Sequence, residues 1–215
     1  MNPVNSVVIL VDDDSAVRES TRWLLESVNL EVLEYASPQA FLEAPRPDAP
    51  TCIVLDVRMP TMSGLDVQER LARNGDNTPI IFITGHADVP SAVRAFKGGA
   101  VDFLEKPFSE QMLLDRVHAA LRRDGDQRRE RSERARWRQR YETLSPRERE
   151  VLDHVVRGEP NKIIADKLEI NIKTVEIHRT RVMRKMEADS LAGLVREYFA
   201  SMGITPSEEP AASRG

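Results

Sequence analysis

The chain has 215 residues, 40 % hydrophobic and 31 % charged, with a net charge of −4, which predicts one or two globular domains rather than a disordered or fibrous chain. A single cysteine excludes an internal disulfide, and four scattered histidines (His86, His118, His154, His178) without companions at ligand spacing argue against a zinc site. Residues 1–5 carry neither a basic n-region nor an apolar stretch, so neither a signal peptide nor a membrane span is expected and a cytoplasmic protein is.

In chain order, apolar runs alternate with helical patterns. Strands are predicted near 6–11, 31–35, 51–55, 80–83 and 102–106, each a short run rich in β-branched residues. Helices are predicted over Ser15–Val28, Ser37–Ala44, Ser63–Arg73, Asp88–Gly98 and from Ser109 onward. Ser15, Ser37 before Pro38, and Ser109 stand where helix caps belong, and Asp14 reads as a cap rather than a ligand. Five alternations of strand and helix predict an α/β domain whose parallel sheet is covered on both faces.

Four of these strands end on polar residues of one chemical set: Asp12-Asp13, Asp56, Thr84-Gly85 and Lys106-Pro107. In an open α/β sheet, ligands sit beyond the carboxyl ends of the strands. A single acid there is an ordinary loop cap. Three acids, a hydroxyl and an ammonium at one edge suit a hard cation and a phosphoryl group. Asp56 is the candidate nucleophile, since a carboxylate can accept a phosphoryl group as an acyl phosphate. Mg²⁺ is the expected cofactor, because it takes oxygen ligands and neutralises charge on the transferring group. Asp12 and Asp13 supply such oxygens, Lys106 suits a phosphoryl oxygen, and Thr84 offers a hydroxyl. Pro107 suits a cis bond that aims Lys106 inward.

Residues 6–121 resemble a two-component receiver domain through VDDD at 11–14, LDVRMP at 55–60, SGLD at 63–66, ITGH at 83–86 and GAVDFLEKPF at 99–108. The resemblance implies a five-stranded doubly wound sheet ordered 2-1-3-4-5, with Asp56 as phosphoacceptor fed by a sensor histidine kinase. It implies Mg²⁺ held by Asp13, Asp56, the backbone carbonyl of Arg58 and, through water, Asp12. It also implies a switch in which Thr84 moves toward the phosphoryl group and Phe103 changes rotamer. The switch aromatic is Phe, so no step using a tyrosine hydroxyl is expected.

Charge changes sign along the chain: residues 1–121 hold 10 Lys+Arg against 18 Asp+Glu, and residues 122–215 hold 21 against 17. A basic second half points toward nucleic acid. Residues 122–140, RRDGDQRRERSERARWRQR, are nearly all charged, with acid–base pairs four apart in Asp124/Arg128 and Glu130/Arg134. They read as a solvated helical linker continuing the fifth helix, with Gly125 its weak point. An apolar seam through Leu114, Val117 and Leu121 meets Asp124 and Arg128 next and is expected to stop there.

Residues 141–203 contain four helical patterns and no strand. Ser145, Pro146 and Glu148 form a helix-opening capping box. Two short helical patterns, from Asn161 and from Asn171, flank a tight turn, as in a helix-turn-helix. On the second, Val175, His178, Val182 and Met186 share a core face. The candidate DNA contacts are Lys173, Thr174, Glu176, Ile177, Arg179, Thr180, Arg181 and Arg184. The basic groups suit phosphates, Glu176 a cytosine amine, and the exposed Ile177 a thymine methyl. Residues 143–203 resemble a LuxR-type DNA-binding domain through LSPREREVL and GEPNKIIADKLEINIKTVEIHRTRVMRKM, with Asn171 where Ser is usual. Together the halves resemble a NarL/FixJ-type response regulator, leaning to the FixJ side through LDVRMP, DVPSAV and the charged linker. That implies a transcription regulator rather than an enzyme, binding double-stranded promoter DNA as a homodimer when phosphorylated. Residues 204–215 are Pro/Ser/Glu-rich and are expected to be disordered.

Two other readings are weaker. A haloacid-dehalogenase-like phosphatase also uses an Asp nucleophile and Mg²⁺, but wants two acids two residues apart after the first strand, whereas Asp12 and Asp13 are contiguous and Asp56 follows the third. A phosphorelay or RNA-binding regulator is disfavoured by the helix-turn-helix.

Overall fold

The computed structural model describes residues 6–203, so the tail expected to be disordered lies outside the described residues. The chain divides into two compact units between Arg128 and Arg129.

The first unit alternates β1 (Val7–Val11), α1 (Ser15–Glu26), β2 (Glu31–Tyr35), α2 (Pro38–Glu43), β3 (Thr51–Asp56), α3 (Gly64–Arg73), β4 (Ile80–Thr84), α4 (Val89–Lys97) and β5 (Asp102–Glu105), then enters α5 (Glu110–Glu142). The strands form one parallel sheet in the order β2-β1-β3-β4-β5. Side chains along each strand alternate between two cores. Val8, Leu10, Cys52, Val54, Ile81 and Ile83 pack with Leu25 of α1 and with Leu113, Val117 and Leu121 of α5. Ile9, Val11, Ile53, Leu55 and Phe82 pack with Phe41, Leu65, Leu71 and Ala95 of α2, α3 and α4. Both faces are therefore covered, and β1, β3 and β4 are fully buried runs. Burial, followed by the charge of Asp124, pushes the Cys52 thiol far up, which makes it a packing group rather than a nucleophile.

Asp14, not Ser15, caps α1, accepting from the N–H groups of Ala16 and Val17. The more acidic neighbour wins because its carboxylate also meets the positive end of the helix dipole. Ser37 caps α2 as its place before Pro38 predicts.

The second unit holds α6 (Pro146–Val156), α7 (Asn161–Leu168), α8 (Ile172–Lys185) and α9 (Leu191–Ser201) around Val151, Leu152, Ile164, Val175, Val182, Met186 and Leu194. Ser145 and Glu148 form the capping box of α6, and Asn171 caps α8. Glu169 makes the turn between α7 and α8 at φ 55°.

The linker expectation needs correction. The helix α5 runs unbroken for 33 residues through Gly125, but it is not solvated throughout. Asp124 is fully buried in the first unit and Trp137 is buried in the core of the second. The intervening residues 129–136 are all exposed. The buried stripe runs through Leu113 rather than the expected Leu114, then Val117 and Leu121, and burial continues at Asp124, because its carboxylate finds buried partners there.

Candidate phosphoryl-transfer site and DNA interface

The strand order places β1, β3, β4 and β5 side by side, so the residues that close them meet at one edge. Asp12 and Asp56 are both buried, and the Lys106 ammonium lies between them, 2.6 Å from Asp12 Oδ2 and 3.0 Å from Asp56 Oδ1. The Lys106–Pro107 peptide is cis, and Lys106 N–H donates to the Thr84 carbonyl at 2.7 Å. The second Asp56 oxygen accepts the Arg58 backbone N–H at 2.8 Å. The first acidic loop is tied down by the Asp14 N–H on Asp12 Oδ1 (2.9 Å) and by Arg18, whose Nη1 donates to the Asp12 carbonyl (2.8 Å). Asp13 is exposed at the same edge.

Gly64 lets α3 begin against this site. A Cβ on it would lie 2.2 Å from the Asp56 carbonyl oxygen, and its N–H donates to the Val57 carbonyl at 2.9 Å. No other residue fits that approach.

Burial pushes the Asp56 carboxyl above the usual carboxylate range, opposed by the Lys106 hydrogen bond and charge and reinforced by Asp12. Burial pulls Lys106 down, yet its two carboxylate partners more than restore it, and it is held above its ordinary value. The edge thus stores a cation between two acids. Among the described residues, no three His, Cys, Asp or Glu converge into a ready cage. Mg²⁺ does not need one, because it usually keeps several waters and takes one or two carboxylates. Oxygen donors from a buried carboxylate, Asp56, and from a second acid exposed beside it, Asp13, fit a hard, partly hydrated dication.

Thr84 is fully buried, and its hydroxyl donates to the His86 carbonyl at 3.2 Å rather than to Asp56. Phe103 is half-buried, with its ring centroid 6.2 Å from that of Phe82. Sequence reasoning missed Glu105, whose Oε1 accepts the Ala87 N–H at 3.1 Å and pins the loop after β4 to the end of β5. It also missed Arg18. Neither has a local signal, since each acts on a backbone atom of another segment.

On α8, Lys173, Glu176, Ile177, Thr180, Arg181 and Arg184 are exposed, Ile177 at 51 %. Thr174 is spent locally: its N–H and hydroxyl both donate to Asn171 Oδ1. The Thr180 hydroxyl donates to the Glu176 carbonyl at 2.9 Å. Arg179 stands apart from these. It is half-buried, and its Nη1 donates to Asn161 Oδ1 at 2.9 Å, which braces α8 to the start of α7. A flank position on the buried stripe gave it a protein acceptor within reach.

Residues 8–118 match the response regulator receiver domain, and residues 142–198 match the bacterial regulatory proteins of the luxR family. FixJ of Azorhizobium caulinodans, a transcriptional regulatory protein, is 45 % identical over 207 residues, which are 96 % of this chain and 98 % of that one. The chain belongs to the NarL/FixJ-type response regulators. Nodulation protein W of Bradyrhizobium diazoefficiens is 49 % identical over 200 residues, 93 % of this chain and 88 % of its own length. The solved structure of the response regulator StyR aligns with a TM-score of 0.82 at 44 % identity, covering 91 % of this chain and 98 % of that one. This response regulator therefore joins a receiver to a LuxR-type DNA-binding domain and regulates transcription in a two-component system. Receiver domains in general bind Mg²⁺ at their acidic site, and the oxygen donors found here suit it. No helix among the described residues is long and apolar enough to cross a membrane.

Proposed function

We propose that Asp56 accepts a phosphoryl group from a sensor histidine kinase in the cytoplasm, and that this drives pairing of the protein on promoter DNA. The observation that carries the reading is the Lys106 ammonium shared by two buried carboxylates at the carboxyl edge of the sheet. An Asp56 oxygen attacks phosphorus and forms the P–O bond of an acyl phosphate, while the kinase histidine leaves with the electrons of the broken P–N bond. Asp13, Asp56 and the Arg58 carbonyl would hold Mg²⁺, with Asp12 beside them as a further oxygen donor. When bound, the ion neutralises charge on the phosphoryl oxygens.

Lys106 gives up a carboxylate and takes a phosphoryl oxygen. The Thr84 hydroxyl turns from His86 toward the same group, and Phe103 moves into the space Thr84 leaves. The face of α4 carries exposed Val89, Val93 and Phe96, and apolar exposure on that scale supports receiver–receiver pairing through α4 and β5. Two DNA-binding domains, residues 141–203 of each chain, then gain effective concentration for each other over two half-sites. Lys173, Arg181 and Arg184 meet phosphates, and Glu176 and Ile177 meet base edges.

Intact-mass measurement with acetyl phosphate tests the first step. One phosphoryl group is expected on the wild type, none after EDTA, and none on Asp56→Asn. Uptake retained by Asp56→Asn would move the acceptor elsewhere.

A further inference from the structure

Within α5, a charge is buried where the sequence pattern promises solvent. Asp124 is 0 % exposed. Its Oδ2 accepts the backbone N–H of Thr51 at 2.9 Å and Arg128 Nε at 2.6 Å. Arg128 in turn donates to the Pro47 carbonyl at 3.4 Å and lies 3.7 Å from Asp48. Gly125 backs onto the Pro50 ring, where an added Cβ would sit 3.6 Å from Pro50 Cγ. One turn of α5 is thus fastened to the segment that leads into β3. Thr51 opens that strand and Asp56 closes it, so the fastening sits at the end of the strand opposite the phosphoacceptor.

Beyond Arg128 the helix passes through the exposed residues 129–136 before Trp137 and Tyr141 join the core of the second unit. Eight exposed residues are too few to hold a helix unaided, and isolated helices under about 12–15 residues are marginal in water. Gly125 weakens the turn before them further. Continuity of α5 between the units therefore depends on anchorage at both ends.

We propose that Asp124 is a latch that makes the first part of the interdomain helix a rigid extension of the receiver, and that the receiver's phosphorylation state reaches the DNA-binding domain through it. With the latch closed, a change in the receiver is passed on along the first turns of α5. With it open, residues 122–136 lose their tertiary support and become a flexible tether, so the two domains keep their own chemistry and lose their coupling. The inference rests on phosphorylation-driven DNA binding as proposed above.

The test uses the full-length chain with Asp124→Ala, the milder Asp124→Asn, and Glu133→Ala in the exposed stretch as a control. Three quantities are read: phosphoryl uptake, amide hydrogen exchange over residues 122–128, and DNA affinity with and without acetyl phosphate. Losing a buried hydrogen bond to a charged group should speed local exchange about tenfold or more. Asp124→Ala should show that acceleration, keep uptake, and lose most of the gain in DNA affinity on phosphorylation. Asp124→Asn, which retains an acceptor for the Thr51 N–H, should fall between it and wild type, and Glu133→Ala should match wild type. Unchanged exchange in Asp124→Ala would overturn the latch. Faster exchange with a full phosphorylation-dependent gain would overturn the coupling. If Asp124→Ala loses uptake because the receiver fails to fold, Asp124→Asn decides by the same two criteria. Absence of any gain in wild type would instead sink the proposed function.

Discussion

The two candidate sites of this response regulator are built in opposite ways. At the receiver edge, four segments contribute one or two groups each, and three of the groups touch: Lys106 reaches Asp12 across 94 residues of sequence and Asp56 across 50. Asp12, Asp56 and Thr84 are buried, and the ionisation of Asp56 and Lys106 is shaped first by burial and then by their charged neighbours. On the DNA side, a single 14-residue helix carries the candidate contacts, and most of its reading face is exposed. A convergent, buried site should fail abruptly when one group is lost. An exposed helical face should fail by degrees, one contact at a time.

Lys106→Ala gives the sharpest version of that contrast. It should leave Mg²⁺ binding largely intact, because Lys106 meets the phosphoryl group rather than the metal, yet abolish the gain in DNA affinity on phosphorylation. Titration of labelled duplex with and without acetyl phosphate reads it. A normal gain would remove the role given to Lys106 and make the receiver edge as graded as the DNA face.

Substitutions of Glu176 and Ile177 should act more gently, shifting preference among DNA sequences by about 1–3 kcal/mol per base contact. Competition binding against a panel of duplexes measures this. An equal loss on every duplex would take both residues off the base-reading face.

Arg184 and Arg179 separate two kinds of arginine on one helix. Arg184→Ala should weaken binding to all sequences and reduce the salt slope by about 0.9. Arg179→Ala should leave that slope alone and lower stability by about 1 kcal/mol through loss of the Asn161 brace. A salt slope that fell for Arg179→Ala as well would restore it to the phosphate contacts.

The smallest expected effect lies in the core of the DNA-binding unit. Burial disfavours the charged form of Glu148, but the Lys185 hydrogen bond, the Ser145 N–H and the Lys185 charge hold its carboxyl below the ordinary value of 4.5. A depressed folded value adds stability that is complete above the unfolded one and fades as pH falls through the folded one. The unit should therefore lose stability on acidification below about pH 4.5, and Glu148→Gln should lose less. Fluorescence of the buried Trp137 in a Trp23→Phe background follows this unit, since Trp23 is exposed. Identical acid profiles for the two proteins would show that the pair contributes nothing there.

The strand ends were legible because a parallel sheet announces itself as apolar runs, and the topology rule then says which ends converge. That is why Asp12, Asp56, Thr84 and Lys106 could be named before any distance was known. The exposed Ile177 was legible for a similar reason, since helical periodicity assigns it away from Val175 and Val182. Arg179 and Asp124 were not. Arg179 reads as a phosphate contact and Asp124 as part of a solvated linker, and each is held by an acceptor or donor in another segment, Asn161 and Thr51 respectively.

By itself, then, the sequence determined the alternation of elements, the capping box at Ser145 and the acid–lysine set, since periodicity, cap chemistry and strand-end position are properties of short windows, whereas the strand order came only through the receiver resemblance. Tertiary structure alone decided that Arg179 reaches Asn161 at the start of α7, and that the charged linker is fastened at Asp124 and at Trp137 with residues 129–136 exposed between them. The physical reason is that burial of a charge is set by its partners. Helical spacing marks Arg128 as one partner of Asp124, but the backbone N–H it also holds is 73 residues away, which no periodicity marks.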